Sequence, residues 1–119
     1  MKANELMIGD WVMHYNGTPM QVTRIDYTEN GGHFACGFPH CWEYNNKYEP
    51  IEMTTDILKK SGFTEVLPDA WTIEGFGVMF RMINGHLWYE LTDVPVSITW
   101  VHEFQHVLKA ARINEKVNI

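Results

Sequence analysis

Apolar and polar residues alternate most regularly in the two segments that flank Asn-Gly pairs. Asn16-Gly17 predicts a two-residue type I′ hairpin turn, because both residues tolerate a positive φ. Closing this hairpin places Met13 opposite Met20 and Trp11 opposite Val22, with both pairs on one face of the sheet. The pattern therefore predicts a β-hairpin near the N-terminus.

The second pair, Asn84-Gly85, predicts another hairpin of the same type. Its apolar face is predicted to hold three cross-strand pairs, namely Met82 with Leu87, Phe80 with Tyr89 and Val78 with Leu91. Its opposite face is predicted to pair Met79 with Glu90 and Arg81 with Trp88. The last of these pairs suggests a cation–π contact.

Two further segments have apolar residues at helical spacing. Thr54 or Thr55 is predicted to cap a short helix that ends at Gly62 in the left-handed conformation. A second helix is predicted near the C-terminus, with Ser97 or Thr99 as its N-cap. Its apolar residues fall within a stripe of about 120° on a helical wheel and comprise Trp100, Val101, Phe104, Val107, Leu108 and Ala111.

The segment from Asp26 to Glu49 has no clear period, because glycine, proline and asparagine interrupt it. Within it, His33–Cys36 and Cys41–Tyr44 are predicted to be strands. A further strand is predicted over Phe63–Leu67, between the first helix and the second hairpin.

These elements indicate an α+β fold in a single domain. Residues 1–50 are predicted to form a small barrel-like β unit. Residues 51–119 are predicted to form a helix, a three-stranded antiparallel meander and a closing helix. At 119 residues the chain has the size of one domain with one core.

Composition and charge narrow the possible partners. Hydrophobic residues make up 45% of the chain, which supports a packed core, and the formal net charge of −6 argues against nucleic acid as a partner. No apolar run approaches the ~20 residues of a membrane-spanning helix, and the N-terminus does not resemble a signal peptide. We therefore expect a cytoplasmic protein without a membrane partner, in which Cys36 and Cys41 are thiols rather than a disulfide.

Several short motifs resemble those of a known family. Asn4-Glu5-Leu6 and Ile8-Gly9-Asp10-Trp11-Val12, then Pro50-Ile51, Met53-Thr54, Ile57-Leu58 and Gly62-Phe63, and finally Val101-His102-Glu103-Phe104-Gln105 carry the resemblance. They resemble small proteins without assigned activity from Bacteroidetes genomes and their prophages. The Leu-x-x-Gly-Asp-x-Val opening is also similar to that of SH3-like small barrels. The resemblance implies an SH3-like N-terminal unit and a phage or mobile-element context.

The segment from His102 to His106 matches the His-Glu-x-x-His pattern of metalloproteases. Two histidines one turn apart can bind zinc, and Glu103 between them could activate a metal-bound water. The extended pattern fails, because Lys109 and Arg112 occupy the places of its glycine and third histidine. On the helical wheel both histidines lie away from the apolar stripe, so we expect them to face solvent. A metal-dependent hydrolase is therefore the alternative function.

A second set of possible metal ligands comprises His33, Cys36, His40 and Cys41. Two thiols and two imidazoles match the ligands of a structural zinc site. However, four ligands within nine residues crowd one ion, and structural sites bring their ligands in two separated pairs. We therefore predict neither a metal nor another cofactor.

The aromatic residues Phe34, Phe38, Trp42 and Tyr44 lie among glycines in the same segment. They could line a concave patch for a protein or small ligand, or they could complete a small core. With no complete catalytic set in the sequence, the leading hypothesis is a non-enzymatic binding module that uses these four residues. A structural assembly subunit is a third possibility.

Overall fold

The computed structural model describes residues 1–28, 31–37, 41–42, 45–73, 80–90, 96–113 and 116–119. The chain divides into two compact units, Met1–Ile51 and Glu52–Ile119, which are called the N-terminal and C-terminal units below. Their boundary lies one residue after the boundary predicted between the two halves. Antiparallel strands dominate both units, and α-helices occur in the second, so the predicted α+β class is confirmed.

The described part of the N-terminal unit forms a five-stranded antiparallel sheet with two short 3₁₀ helices. In chain order it contains a 3₁₀ helix at Ala3–Glu5, β1 at Trp11–His14, β2 at Pro19–Asp26, β3 at His33–Cys36, β4 at Cys41–Trp42, a 3₁₀ helix at Asn45–Lys47 and β5 at Tyr48–Glu49. The strand order is β4-β3-β2-β1-β5. A bulge between Val22 and Arg24 interrupts the register of β2. Bulges bend a strand and increase its twist, so the sheet curls at this point.

The prediction of a strand at His33–Cys36 is confirmed. The predicted strand Cys41–Tyr44 corresponds to β4, and its last two residues lie outside the described residues. The core of the N-terminal unit lies inside the curled sheet and comprises Ala3, Leu6, Val12, Val22, Phe34, Cys36 and Tyr48.

The register predicted for the first hairpin is wrong by one residue. Val12 pairs with Met20, and Trp11 pairs with Gln21 instead of Val22. Gly17 has a positive φ of 87°, but Asn16 does not, so the turn is not type I′. The slip brings Val12 to the core, where it is fully buried.

In its described residues, the C-terminal unit contains a five-stranded antiparallel meander and two α-helices. In chain order it contains α1 at Thr55–Lys60, β6 at Thr64–Leu67, β7 at Ala70–Thr72, β8 at Phe80–Ile83, β9 at His86–Tyr89, β10 at Val96–Ile98 and α2 at Val101–Ala110. The strand order is β10-β9-β8-β7-β6. The predicted three-stranded meander was therefore too small, because β7 and β10 are strands as well.

Within the described residues, the second hairpin has the register and the turn that were predicted. Phe80 pairs with Tyr89, Met82 with Leu87 and Arg81 with Trp88. Asn84 and Gly85 have φ values of 53° and 78°, as a type I′ turn requires. The remaining predicted pairs involve residues 78, 79 and 91 and lie outside the described residues. Besides pairing with Trp88, Arg81 forms an ion pair with Glu90 at 2.7 Å.

Helix α1 begins and ends as predicted. The Thr54 side chain accepts a hydrogen bond from the Ile57 N–H at 3.3 Å. At the other end, the Phe63 N–H donates to the Leu58 carbonyl and the Gly62 N–H donates to the Lys59 carbonyl. These two bonds, with Gly62 at a φ of 92°, form a Schellman motif.

The start predicted for the second helix is wrong. Ser97 belongs to β10, where it pairs with Trp88, and the N-cap of α2 is Trp100. The buried side of α2 presents Phe104, whose ring lies 5.2 Å from that of Phe80 and 5.6 Å from that of Phe63. Aromatic rings packed edge to face at this spacing form a stable core centre for the unit.

Candidate ligand-binding surface

The His-Glu-x-x-His segment forms the first half of α2, but its histidines do not both face solvent. His102 is buried, with 6% of its surface exposed, and His106 is half-buried. The prediction of two solvent-facing histidines is thus wrong for His102. A helical wheel assumes that one side of a helix is covered, whereas the first turn of α2 is buried on more than that side. The two rings lie 5.8 Å apart.

Glu103 has a structural contact at the start of the same helix. Its Oε1 accepts hydrogen bonds from the backbone N–H groups of Thr99, at 3.0 Å, and Trp100, at 2.9 Å. This is the glutamate half of a capping box, and a carboxylate here also complements the helix dipole. A general base in a metalloprotease instead needs a carboxylate oxygen within hydrogen-bond reach of the metal-bound water. Within the described ranges, no three His, Cys, Asp or Glu side chains form a group that could hold a metal ion.

The second candidate metal set is divided between the faces of β3. His33 is exposed, whereas Cys36 is fully buried in the core. Residues three apart on a strand point to opposite faces and lie about 10 Å apart along it. His33 and Cys36 are therefore poorly placed to bind one ion. Cys41 is described by its backbone in β4, and His40 lies outside the described residues.

The aromatic segment predicted to bind a ligand is partly described. Phe34 has no exposed surface, and its ring lies 5.0 Å from that of Tyr48. A ligand could reach Phe34 only by opening the core. Trp42 pairs with Ala35 through the backbone of β4. Phe38 and Tyr44 lie outside the described residues, so their predicted role stays a prediction.

An exposed aromatic residue lies instead at the tip of the first hairpin. Tyr15 follows β1, and 68% of its surface is exposed. Three hydrogen bonds fix the loop around it: the Gly17 N–H donates to the His14 carbonyl, the His14 N–H to the Thr18 carbonyl, and the Thr18 N–H to the Asn16 side chain. This three-residue loop is a turn closed by a glycine bulge.

Tyr15 also contacts the last residue of the 3₁₀ helix Asn45–Lys47. The Tyr15 N–H donates to the Lys47 carbonyl at 2.8 Å, and the Lys47 ammonium lies 4.8 Å from the centre of the Tyr15 ring. The ring of His14 lies 4.4 Å from that of Tyr15. Tyr15 is therefore exposed yet restrained by a cation–π contact and a ring contact.

The other end of the same 3₁₀ helix borders a cleft. The Asn45 Nδ2 donates to the Gly32 carbonyl at 3.1 Å, while its buried Oδ1 has no hydrogen-bond partner among the described residues. The cleft has a volume of about 320 Å³ and is lined by Met1, Lys2, Ala3, Asn4, Gly31, Gly32 and Asn45. At about 2 Å per residue, Asn45 lies roughly 4 Å along the helix from Lys47. We call Tyr15, Lys47 and this cleft the 3₁₀ surface.

The 3₁₀ surface was not found from the sequence. Neither Tyr15 nor Lys47 belongs to a motif, and Lys47 lies in the segment without a clear period. The backbone hydrogen bond and the cation–π contact between them show that the hairpin and the 3₁₀ helix are neighbours.

Comparison of the chain with models of known protein families, with curated proteins and with solved structures finds no match. Among the described residues, the helices are all too short or too polar to cross a bilayer.

Proposed function

We propose that this protein is a non-enzymatic binding module that recognises an extended segment of a protein partner through the 3₁₀ surface. The restrained exposure of Tyr15 carries the proposal: two-thirds of this large side chain meets solvent, while His14 and Lys47 hold its ring. The role of Glu103 in the helix cap favours a binding function over the hydrolase alternative.

A restrained aromatic residue is a good anchor for a partner. Binding costs free energy when side chains must become ordered, about 0.5–1.5 kcal/mol for each flexible side chain. Tyr15 incurs less of this cost because its ring already has two fixed neighbours. Tyrosine also combines an apolar ring with a polar hydroxyl, and it is enriched among the residues that dominate binding energy.

The chemistry of the 3₁₀ surface suits a peptide backbone. The Lys47 ammonium and the Tyr15 hydroxyl can donate to carbonyl oxygens of a partner, while the Tyr15 ring receives an apolar side chain. The cleft beside Asn45 has the size of a small-ligand pocket, which begins at about 300 Å³. A partner side chain of moderate size would fill it.

The fold of the N-terminal unit supports the comparison with SH3-like barrels. Its fifth strand returns to pair with the first, and a 3₁₀ helix precedes that strand. The long bulged β2 contributes to both halves of the curled sheet. SH3 domains bind extended proline-rich peptides in aromatic grooves, so we propose a related mode of recognition. The sequence resemblance adds a phage or mobile-element context.

Of the residues predicted from sequence, Phe38, Trp42 and Tyr44 remain in this proposal as further contacts. Phe34 is omitted because it is buried in the core.

The test begins with a displayed library of random peptides selected against the whole chain. Binding of an enriched peptide is then measured by calorimetry for the wild type, Tyr15→Ala and Tyr27→Ala. Tyr27 is the matched control, because the same fraction of its surface, 68%, is exposed. Loss of a binding anchor costs about 2 kcal/mol or more, so Tyr15→Ala should weaken binding about 30-fold and Tyr27→Ala little.

Two results would contradict the proposal. One is the absence of any peptide enriched above the background of an unrelated protein. The other is a selected peptide whose affinity Tyr15→Ala leaves unchanged while the variant remains folded.

A further inference from the structure

The only two cysteines of the chain are cross-strand neighbours. Cys36 ends β3, Cys41 begins β4, and the two residues pair directly in the antiparallel register. The neighbouring pair, Ala35 with Trp42, confirms that register. Because facing residues of an antiparallel pair point to the same side of the sheet, both cysteines belong to one face.

The pairing sets a separation that suits a disulfide. Directly facing residues have Cα atoms about 4.5 or 5.5 Å apart, depending on the hydrogen-bond pattern. Both values fall in the range of about 4.4–6.8 Å that disulfides span. The Cα separation of this pair therefore permits a bridge.

We propose that Cys36 and Cys41 form a reversible disulfide that ties the edge strand β4 to β3 when the protein meets a disulfide oxidant. Strand β4 is two residues long and lies at the edge of the sheet, so it opens at lower cost than the inner strands. Opening exposes Cys36, which is fully buried in the closed sheet. This proposal does not depend on the proposed peptide binding.

Oxidised glutathione can serve as the oxidant. One cysteine thiolate attacks its disulfide, forms a mixed disulfide and releases one glutathione. The second cysteine thiolate then attacks the cysteine sulfur of that mixed disulfide, forms the Cys36–Cys41 bond and releases the second glutathione. Two electrons pass from the cysteines to glutathione, and the two thiol protons end on the released thiols.

The test incubates the whole chain with oxidised glutathione and measures its intact mass under denaturing conditions. The expected product is a monomer that has lost two hydrogen atoms, carries no glutathione and takes up no iodoacetamide. Reduced dithiothreitol should restore two alkylated cysteines. Because the chain has only two cysteines, this mass identifies the bridge without a variant.

The matched control is the intact mass of Cys36→Ser, a variant that cannot form the bridge. The proposal is overturned if the wild type keeps two alkylatable thiols after the same incubation, or if it collects stable glutathione adducts or intermolecular dimers instead of losing two hydrogens.

Discussion

Replacing Glu103 separates its structural contact from the catalytic role that the His-Glu-x-x-His pattern suggests. Glu103→Ala removes one carboxylate oxygen that accepts two backbone N–H groups at the start of α2. Loss of a helix cap costs about 0.5–2 kcal/mol, and loss of a negative charge at a helix N-terminus costs about 0.3–1 kcal/mol. Because water can partly replace these contacts at an exposed site, we expect a total loss of about 1–2 kcal/mol.

The assay is urea and thermal unfolding followed by circular dichroism. For a unit of this size, each kcal/mol lowers Tm by about 4–8 °C, so Glu103→Ala should lower it by roughly 4–16 °C. Glu103→Gln is the matched control, because it keeps an acceptor oxygen and loses only the charge, and it should lose less stability. The reasoning is refuted if Glu103→Ala is as stable as the wild type or more stable. Replacement of a catalytic residue often has that stabilising effect.

The packing and the first helix give two further predictions. Phe104→Ala should lose about 3–5 kcal/mol in urea unfolding, because it empties a fully buried site between Phe63 and Phe80, and a loss below about 1 kcal/mol would contradict this packing. Gly62→Ala should lose about 1–2 kcal/mol in the same assay, because its φ of 92° strains any residue with a Cβ; unchanged stability would mean that α1 does not end in a Schellman motif.

The sequence predicted local structure best where one residue type meets one backbone requirement. Asn84-Gly85 formed the predicted turn because both residues take a positive φ. The same dipeptide at Asn16-Gly17 closed a three-residue loop instead, in which only the glycine has a positive φ. A dipeptide thus favours a turn, but the competition between Val12 and Trp11 for the core decides the register.

The site was harder to predict because it depends on contacts between distant segments. Tyr15 and Lys47 are separated by more than thirty residues, and neither has a motif. The burial of His102 depends on tertiary packing, which a helical wheel does not represent. Serine is a residue type that often caps helices, yet Ser97 pairs with Trp88 in a strand.

The most direct test of the proposed function is hydrogen–deuterium exchange of the whole chain with and without a selected peptide. The account predicts slower exchange at residues 13–18 and 45–49, which include Tyr15 and the 3₁₀ helix, and no change over 101–110. Protection confined to 101–110, with residues 13–18 and 45–49 unchanged, would contradict it and direct attention to α2.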